Sequence, residues 1–181
     1  MKEIRLHGRG GQGLVTGSQI IVKSIIEEGK YAHFIPYFGV ERKGSPVFGF
    51  LRIDEKNDIR EKCQVYEPDC IIVLDDTLIS LVPVFDGFRD EGFLLINTTK
   101  NLEDLNLPES YQKVGLVDAT GISLRIIKRN IPNSAMLACF AKTTQWCDFD
   151  ILLDNIEEMF GKENRQIALE AYEKTVVYTK K

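Results

Sequence analysis

The chain has 181 residues, 44% of them hydrophobic, which is enough for one well-packed domain over 1–181 and marginal for two. A net charge of -4 gives no global basic field and argues against a nucleic-acid partner. Apolar runs such as Cys70 to Leu74 are far too short to cross a membrane, and Met1-Lys2-Glu3-Ile4 enters a strand without a signal-peptide region, so the expected location is cytoplasmic.

In chain order, residues 3–7 alternate apolar and polar as a strand does. Leu14 to Glu28 reads as a helix, with Leu14, Ser18, Ile21, Val22 and Ile25 on one face and Gly29 to end it. Tyr31 to Ile35 is a second strand, stopped by Pro36, and Val47 to Asp54 a third. Ile59 to Cys63 reads as a short partner strand. Cys70 to Leu74, Phe93 to Ile96 and Val114 to Val117 are apolar runs fit for strands buried on both faces. Helices follow at Thr77 to Leu81, from Asp118 to about Arg129, from Asn133 to Lys142, from Asp148 to Gly161, and from Lys162 to about Tyr178. Asp75, Asp76 and Asp118 are placed to cap helices. Strands alternating with helices predict an α/β fold: three layers, a largely parallel but mixed sheet, and helices on both faces.

The most informative stretch is Ile4-Arg5-Leu6-His7-Gly8-Arg9-Gly10-Gly11-Gln12-Gly13. Gly8, Gly10 and Gly13 have G-x-G-x-x-G spacing, after a strand and before a helix, as a Rossmann-like anion loop requires. Such a loop lets a ligand approach the backbone, and the helix start offers unpaired N–H groups and a positive dipole end. Arg9 adds a full positive charge. A phosphate is the expected ligand, and a tight turn that binds nothing is the plainer alternative. In open α/β sheets ligands sit beyond the carboxyl ends of the strands. Gly8–Gly13, Asp75-Asp76, Asn97-Thr98 and Asp118 should therefore gather at one rim.

A free-standing NAD or FAD binder would carry an acid at the end of the second strand to meet the ribose. Tyr31-Ala-His-Phe-Ile-Pro36 has none, and Glu41 comes later in a charged loop beside Arg42. Nor does a Gly-Lys-Ser/Thr follow the glycines, so this is not a P-loop. Arg9, Arg42 and Lys43 suit a pyrophosphate or a phosphorylated nucleotide such as coenzyme A. His7 and His33 read as packing residues of strands. Cys63, Cys70, Cys139 and Cys147 form no close pair and are read as reduced thiols, with no metal or cluster site. No catalytic constellation is present.

Gly8-Arg-Gly-Gly-Gln-Gly13 and the loop Pro36-Tyr-Phe-Gly-Val-Glu-Arg-Lys-Gly-Ser-Pro46 together carry a resemblance over nearly the full length, with weaker echoes at Asp118-Ala-Thr120 and Asn133-Ser-Ala-Met-Leu-Ala138. The chain resembles the gamma subunit of 2-oxoacid:ferredoxin oxidoreductases, the group that includes pyruvate synthase. The resemblance implies a non-catalytic subunit of an enzyme that converts a 2-oxoacid and coenzyme A to an acyl-CoA and carbon dioxide. Ferredoxin or flavodoxin takes the electrons. Thiamine diphosphate and [4Fe–4S] clusters would lie on alpha, beta and delta-type partner subunits. It further implies that Gly8, Arg9, Gly10, Gly11, Gln12 and Gly13 face coenzyme A. Tyr37, Phe38, Gly39, Glu41, Arg42 and Pro46 would then lie against the thiamine-binding subunit. The Glu-Arg-x-Gly-Ser-Pro form of the loop leans toward pyruvate or a branched-chain oxoacid. A purely structural subunit is the remaining alternative.

Overall fold

A computed structural model describes residues 1–37 and 44–180. Seven strands form one mixed sheet in the order β2-β3-β1-β4-β5-β6-β7. They are β1 (Lys2–Arg9), β2 (Tyr31–Tyr37), β3 (Pro46–Asp54), β4 (Cys70–Val73), β5 (Phe93–Asn97), β6 (Lys113–Val117) and β7 (Val176–Thr179). The centre, β1-β4-β5-β6, is parallel. Antiparallel strands complete it on both sides, through the β1–β3 and β2–β3 pairs and the β6–β7 pair.

The five helices are α1 (Leu14–Glu27), α2 (Ala119–Ile127), α3 (Asn133–Thr144), α4 (Phe149–Phe160) and α5 (Lys162–Lys174). All five contribute to a single apolar cluster against one sheet face, where Ile4, Leu6, Leu51, Ile53, Ile72 and Leu95 point. Helix α3 lies at the centre of that layer and buries eleven of its twelve residues, which its small side chains (Ser134, Ala135, Ala138, Cys139, Ala141) permit. The opposite face carries Ile71, Val73, Leu94, Ile96, Val114 and Leu116, covered by Leu78, Val84 and neighbouring loop residues. Helical cover there is limited to 3-10 turns, Asp76–Ser80 and Leu102–Asp104. The α/β class and mixed sheet are as expected, but the two faces are covered unequally. The segments after β4 and β5 are interrupted by Pro83 and Pro108, which break a continuous helix.

Three local expectations differ from the structure. Ile59–Cys63 is not a strand: the buried Arg52 guanidinium takes the carbonyls of Cys63 (2.8 Å) and Gln64 (3.2 Å), holding the segment as an irregular loop. The final helix stops at Lys174, and the β-branched and aromatic run Val-Val-Tyr-Thr pairs with β6 as an edge strand. Pro36 does not end β2, which continues to Tyr37. As an edge strand, β2 tolerates a residue without an N–H.

Candidate functional site: the rim beyond the parallel strands

The carboxyl ends of β1, β4, β5 and β6 meet at one rim, as their sequence positions require. Leu74 N donates to His7 O (2.8 Å). Asn97 Nδ2 donates to Leu74 O and to Thr120 Oγ1, each at 2.8 Å. Thr98 Oγ1 donates to Asp76 (2.7 Å), and Asp118 caps α2 by accepting from Gly121 N (2.7 Å).

At this rim β1 runs into the glycine loop, and α1 begins at Leu14. Gly13 is the N-cap residue with φ 78°, and a Cβ there would fall 2.5 Å from Asn133 Nδ2, so both conformation and space call for glycine. Gly11 also has positive φ (95°), with open space around its Cα. Helix α1 has no side-chain cap and no acidic residue in its first turn. The N–H groups of its first turn thus have neither an intrahelical acceptor nor a carboxylate to neutralise them. By contrast, α4 is capped by Asp148, which accepts from Asp150 N and Ile151 N.

The side chains of the loop serve the protein itself. Arg9 Nε donates to Asp75 Oδ2 (3.0 Å), Nη1 to Gly44 O (3.1 Å) and Nη2 to Thr77 Oγ1 (2.7 Å). Gln12 is buried, accepts from Arg9 N (2.8 Å) and donates to the same Asp75 oxygen (3.2 Å). Desolvation works against the ionised Asp75. Hydrogen bonds from Thr77, the charge of Arg9 and the Gln12 amide outweigh it and hold the carboxyl below the usual range. Sequence reasoning treated Asp75 as a cap. It does accept from Thr77 N, and it also anchors the whole glycine loop.

The two motifs singled out in the sequence touch. Gly10 N donates to Ser45 O (2.9 Å) and Gly44 N to Gly10 O (3.1 Å), while Arg9 pairs with Pro46 in the β1–β3 register. Tyr37, 42% exposed, stacks on Phe48 at 4.4 Å. Phe38, Gly39, Glu41, Arg42 and Lys43 lie outside the described residues. A cleft of about 280 Å³ runs from Gly10, Gly11 and Thr16 to Tyr37 and Phe48. A second, of about 600 Å³, shares Gly11, Gly13 and Thr16 and extends to Arg129 and Glu163. Arg129 was not singled out from the sequence, since its position depends on the α2–α3 turn.

His7 is buried on the second sheet face, where Arg5 Nε donates to its Nε2 (3.1 Å). Desolvation and the Arg5 charge push its pKa down to about 3. Burial raises the thiols of Cys70 and Cys147, and that of Cys139 to about 12; Cys63 is exposed. Among the described residues no group of three His, Cys, Asp or Glu side chains could hold a metal, and no helix is long and apolar enough to cross a membrane.

A mixed seven-stranded sheet, with a glycine loop leading from its first strand into an uncapped helix at the carboxyl rim, defines an α/β protein with a Rossmann-like strand–loop–helix unit. The chain belongs to the pyruvate ferredoxin/flavodoxin oxidoreductase family, whose model matches residues 3–176. It is 46% identical to the pyruvate/ketoisovalerate oxidoreductases common subunit gamma of Thermococcus kodakarensis, over 98% of this chain and 99% of that one. It is 43% identical to the pyruvate synthase subunit PorC of Methanothermobacter thermautotrophicus, over 96% and 95%. The crystal structure of pyruvate oxidoreductase subunit PORC from Thermotoga maritima superposes with a TM-score of 0.82 at 34% identity, covering 97% of each chain. These full-length matches make the chain a gamma-type subunit of a multisubunit 2-oxoacid:ferredoxin oxidoreductase, and set aside a free-standing dinucleotide-binding enzyme.

Proposed function

We propose that this subunit helps bind coenzyme A and presents it to a thiamine adduct formed on partner subunits, which also hold the [4Fe–4S] clusters. The observation that carries the reading is the start of α1, which opens on the rim under positive-φ glycines with no cap and no first-turn acid. An anion there meets several N–H donors and the positive helix end. The pyrophosphate of coenzyme A is such an anion. Tyr37 and Pro46 are assigned to the contact with the thiamine-binding subunit, and the exposed Tyr37 ring suits such an interface. The oxoacid is pyruvate or a branched-chain 2-oxoacid, and the acceptor is ferredoxin or flavodoxin reached through the complex. The Thermococcus kodakarensis relative, a common subunit of pyruvate and ketoisovalerate oxidoreductases, supports this reading.

The test is Gly11→Ala in the reconstituted complex, where the added methyl meets no atom within 4 Å but the backbone must leave φ 95°. The expected outcome is a raised KM for coenzyme A, with carbon dioxide release from the oxoacid in the absence of coenzyme A unchanged. One observation favours the purely structural reading: Arg9 and Gln12 are both committed to Asp75. An unaltered KM in the Gly11 variant decides for it.

A further inference from the structure

The two sides of the sheet present different surfaces. The helical layer on the first face carries exposed ion pairs, Lys23–Glu158, Arg165–Asp154 and Lys174–Glu170, as a solvated surface does. The second face is covered by loops and 3-10 turns, and beside β3 it opens into a cleft of about 350 Å³. Phe48, Phe50, Val65, Leu78, Val82 and Pro83 give the cleft apolar walls. Tyr66 lines it and is 71% exposed, and Leu81, next in the chain to Val82, is exposed as well. Clustered exposed apolar side chains mark an interaction surface.

The polar groups of the cleft are few. Among the described residues, Arg5 and Asp86 are the charged members of its lining and balance each other. Arg5 is already committed to His7 Nε2 and to the carbonyls of Val84 and Asp86. His7 is 8% exposed and neutral. With Nε2 accepting from Arg5, the proton of the neutral ring sits on Nδ1, which pairs with no group among the described residues and opens into the cleft. A donor at the floor of an apolar cleft calls for an acceptor from the occupant. A phosphate or a carboxylate finds no unpaired cation here, which argues against both the coenzyme and the oxoacid. Apolar walls, no net charge and one donor match a segment of protein. The chain is a subunit of a multisubunit oxidoreductase, so other subunits cover part of its surface in the working enzyme. The contact assigned to Tyr37 and Pro46 runs on into this cleft, since Tyr37 stacks on Phe48, and Phe48 and Pro46 both line it.

We propose that the cleft is a docking site for a partner subunit of the same oxidoreductase, which inserts an aliphatic or aromatic side chain between Phe48, Phe50 and Val82 and sets a backbone carbonyl on His7 Nδ1–H. Tyr66 and Leu81 form the apolar border around that anchor. The inference rests on membership of the complex, extends the contact assigned to Tyr37 and Pro46, and is independent of the coenzyme A reading.

The experiment mixes the purified subunit with its purified partner subunits and follows assembly by sedimentation velocity and native mass spectrometry. Val82→Asp places a charge in the cleft and should weaken assembly about 100-fold or more. Tyr66→Ala, at an exposed position that leaves folding intact, should weaken it about 10-fold. His7→Phe keeps a ring and loses the donor, for an effect of about 2- to 10-fold. Leu169→Asp, an exposed position on α5, should assemble as the parent does. Amides of 64–66 and 82–86 should gain hydrogen-exchange protection in the complex. Once assembled, the cleft variants should keep the parent KM for coenzyme A, so this result is read separately from the glycine-loop test. If Val82→Asp and Tyr66→Ala assemble like the parent, the inference falls. If Tyr37→Ala weakens assembly and the cleft variants do not, the Tyr37 contact stands and the cleft is not part of it. If the isolated subunit is a dimer that Val82→Asp dissociates, the occupant is a second copy of this chain and the partner assignment is wrong. If Leu169→Asp weakens assembly as much as Val82→Asp, the docking face is not the one assigned.

Discussion

Two arginines tie loops to opposite ends of the same antiparallel strand pair, and their surroundings differ. Arg52, on β3, has a side chain 2% exposed. It donates to Glu3 (2.9 Å) and to the carbonyls of Cys63 and Gln64. Arg9, at the end of β1, is 25% exposed and donates to Asp75, Gly44 and Thr77. Each replaces missing secondary structure with a fan of hydrogen bonds from one planar group. The buried fan holds a loop at the amino end of β1, remote from the rim. The half-exposed fan holds the loop on which α1 opens, where small displacements would reach the proposed coenzyme A contact. Depth thus separates a group placed to hold the fold from one placed at the proposed site.

The largest effect should come from Arg52. Arg52→Met removes the donor of the Cys63 and Gln64 carbonyls and leaves the Glu3 carboxylate only the more exposed Arg89 at 3.5 Å, a loss that should cost about 1–3 kcal/mol. Urea unfolding of the isolated subunit should show the loss as a lower midpoint. A loss below about 1 kcal/mol would mean that water replaces the guanidinium, and the contrast with Arg9 would collapse.

His7 sharpens the comparison, because it lies between the two arginines on β1. Its pKa in the folded chain is about 3, against about 6.5 when unfolded. The unfolded chain therefore binds the proton first as pH falls. The stability associated with neutral His7 is fully present above about pH 6.5 and is lost toward pH 3, at about 1.4 kcal/mol per pH unit. Urea midpoints measured at pH 7.5, 6 and 4.5 should fall less steeply in His7→Gln than in the parent chain. Equal slopes would show that Arg5 moves away and lets His7 charge inside the fold.

Much of this arrangement was legible in the sequence where local pattern and burial agree. The strand–glycine–helix unit at 4–28, the buried strands, the cap Asp118 and the helix that starts after Asp148 follow from periodicity and residue type alone. Thr175-Val-Val-Tyr-Thr carried a β signal, masked by the long amphipathic pattern of α5 running into it. The site was legible as backbone and not as side chains. Glycine spacing located the loop before α1, but nothing local says that Arg9 turns back onto Asp75, 66 residues away, or that Arg129 lines the same cleft as Gly11. Such pairings are set by the β1–β4 register and the α2–α3 turn.

The smallest stability effect is expected at Arg9, and it is the most diagnostic. Its pair with Asp75 is partly exposed and screened, so Arg9→Ala should cost about 1 kcal/mol. Asp75→Asn should cost a similar amount. Because both changes break one network, their effects should fall short of additivity by about 0.5 kcal/mol or more. The functional readout separates this group from Arg52. In the reconstituted complex Arg9→Ala should raise the KM for coenzyme A with unchanged decarboxylation of the oxoacid, since the loop loses its hold on Gly44 and Thr77. Asp75→Asn should do the same although it removes a negative charge, which for a direct electrostatic role at a phosphate would lower KM instead. A raised KM in both variants therefore marks Arg9 as a positioning residue. A raised KM in Arg9→Ala with a lowered one in Asp75→Asn would place its charge on the ligand.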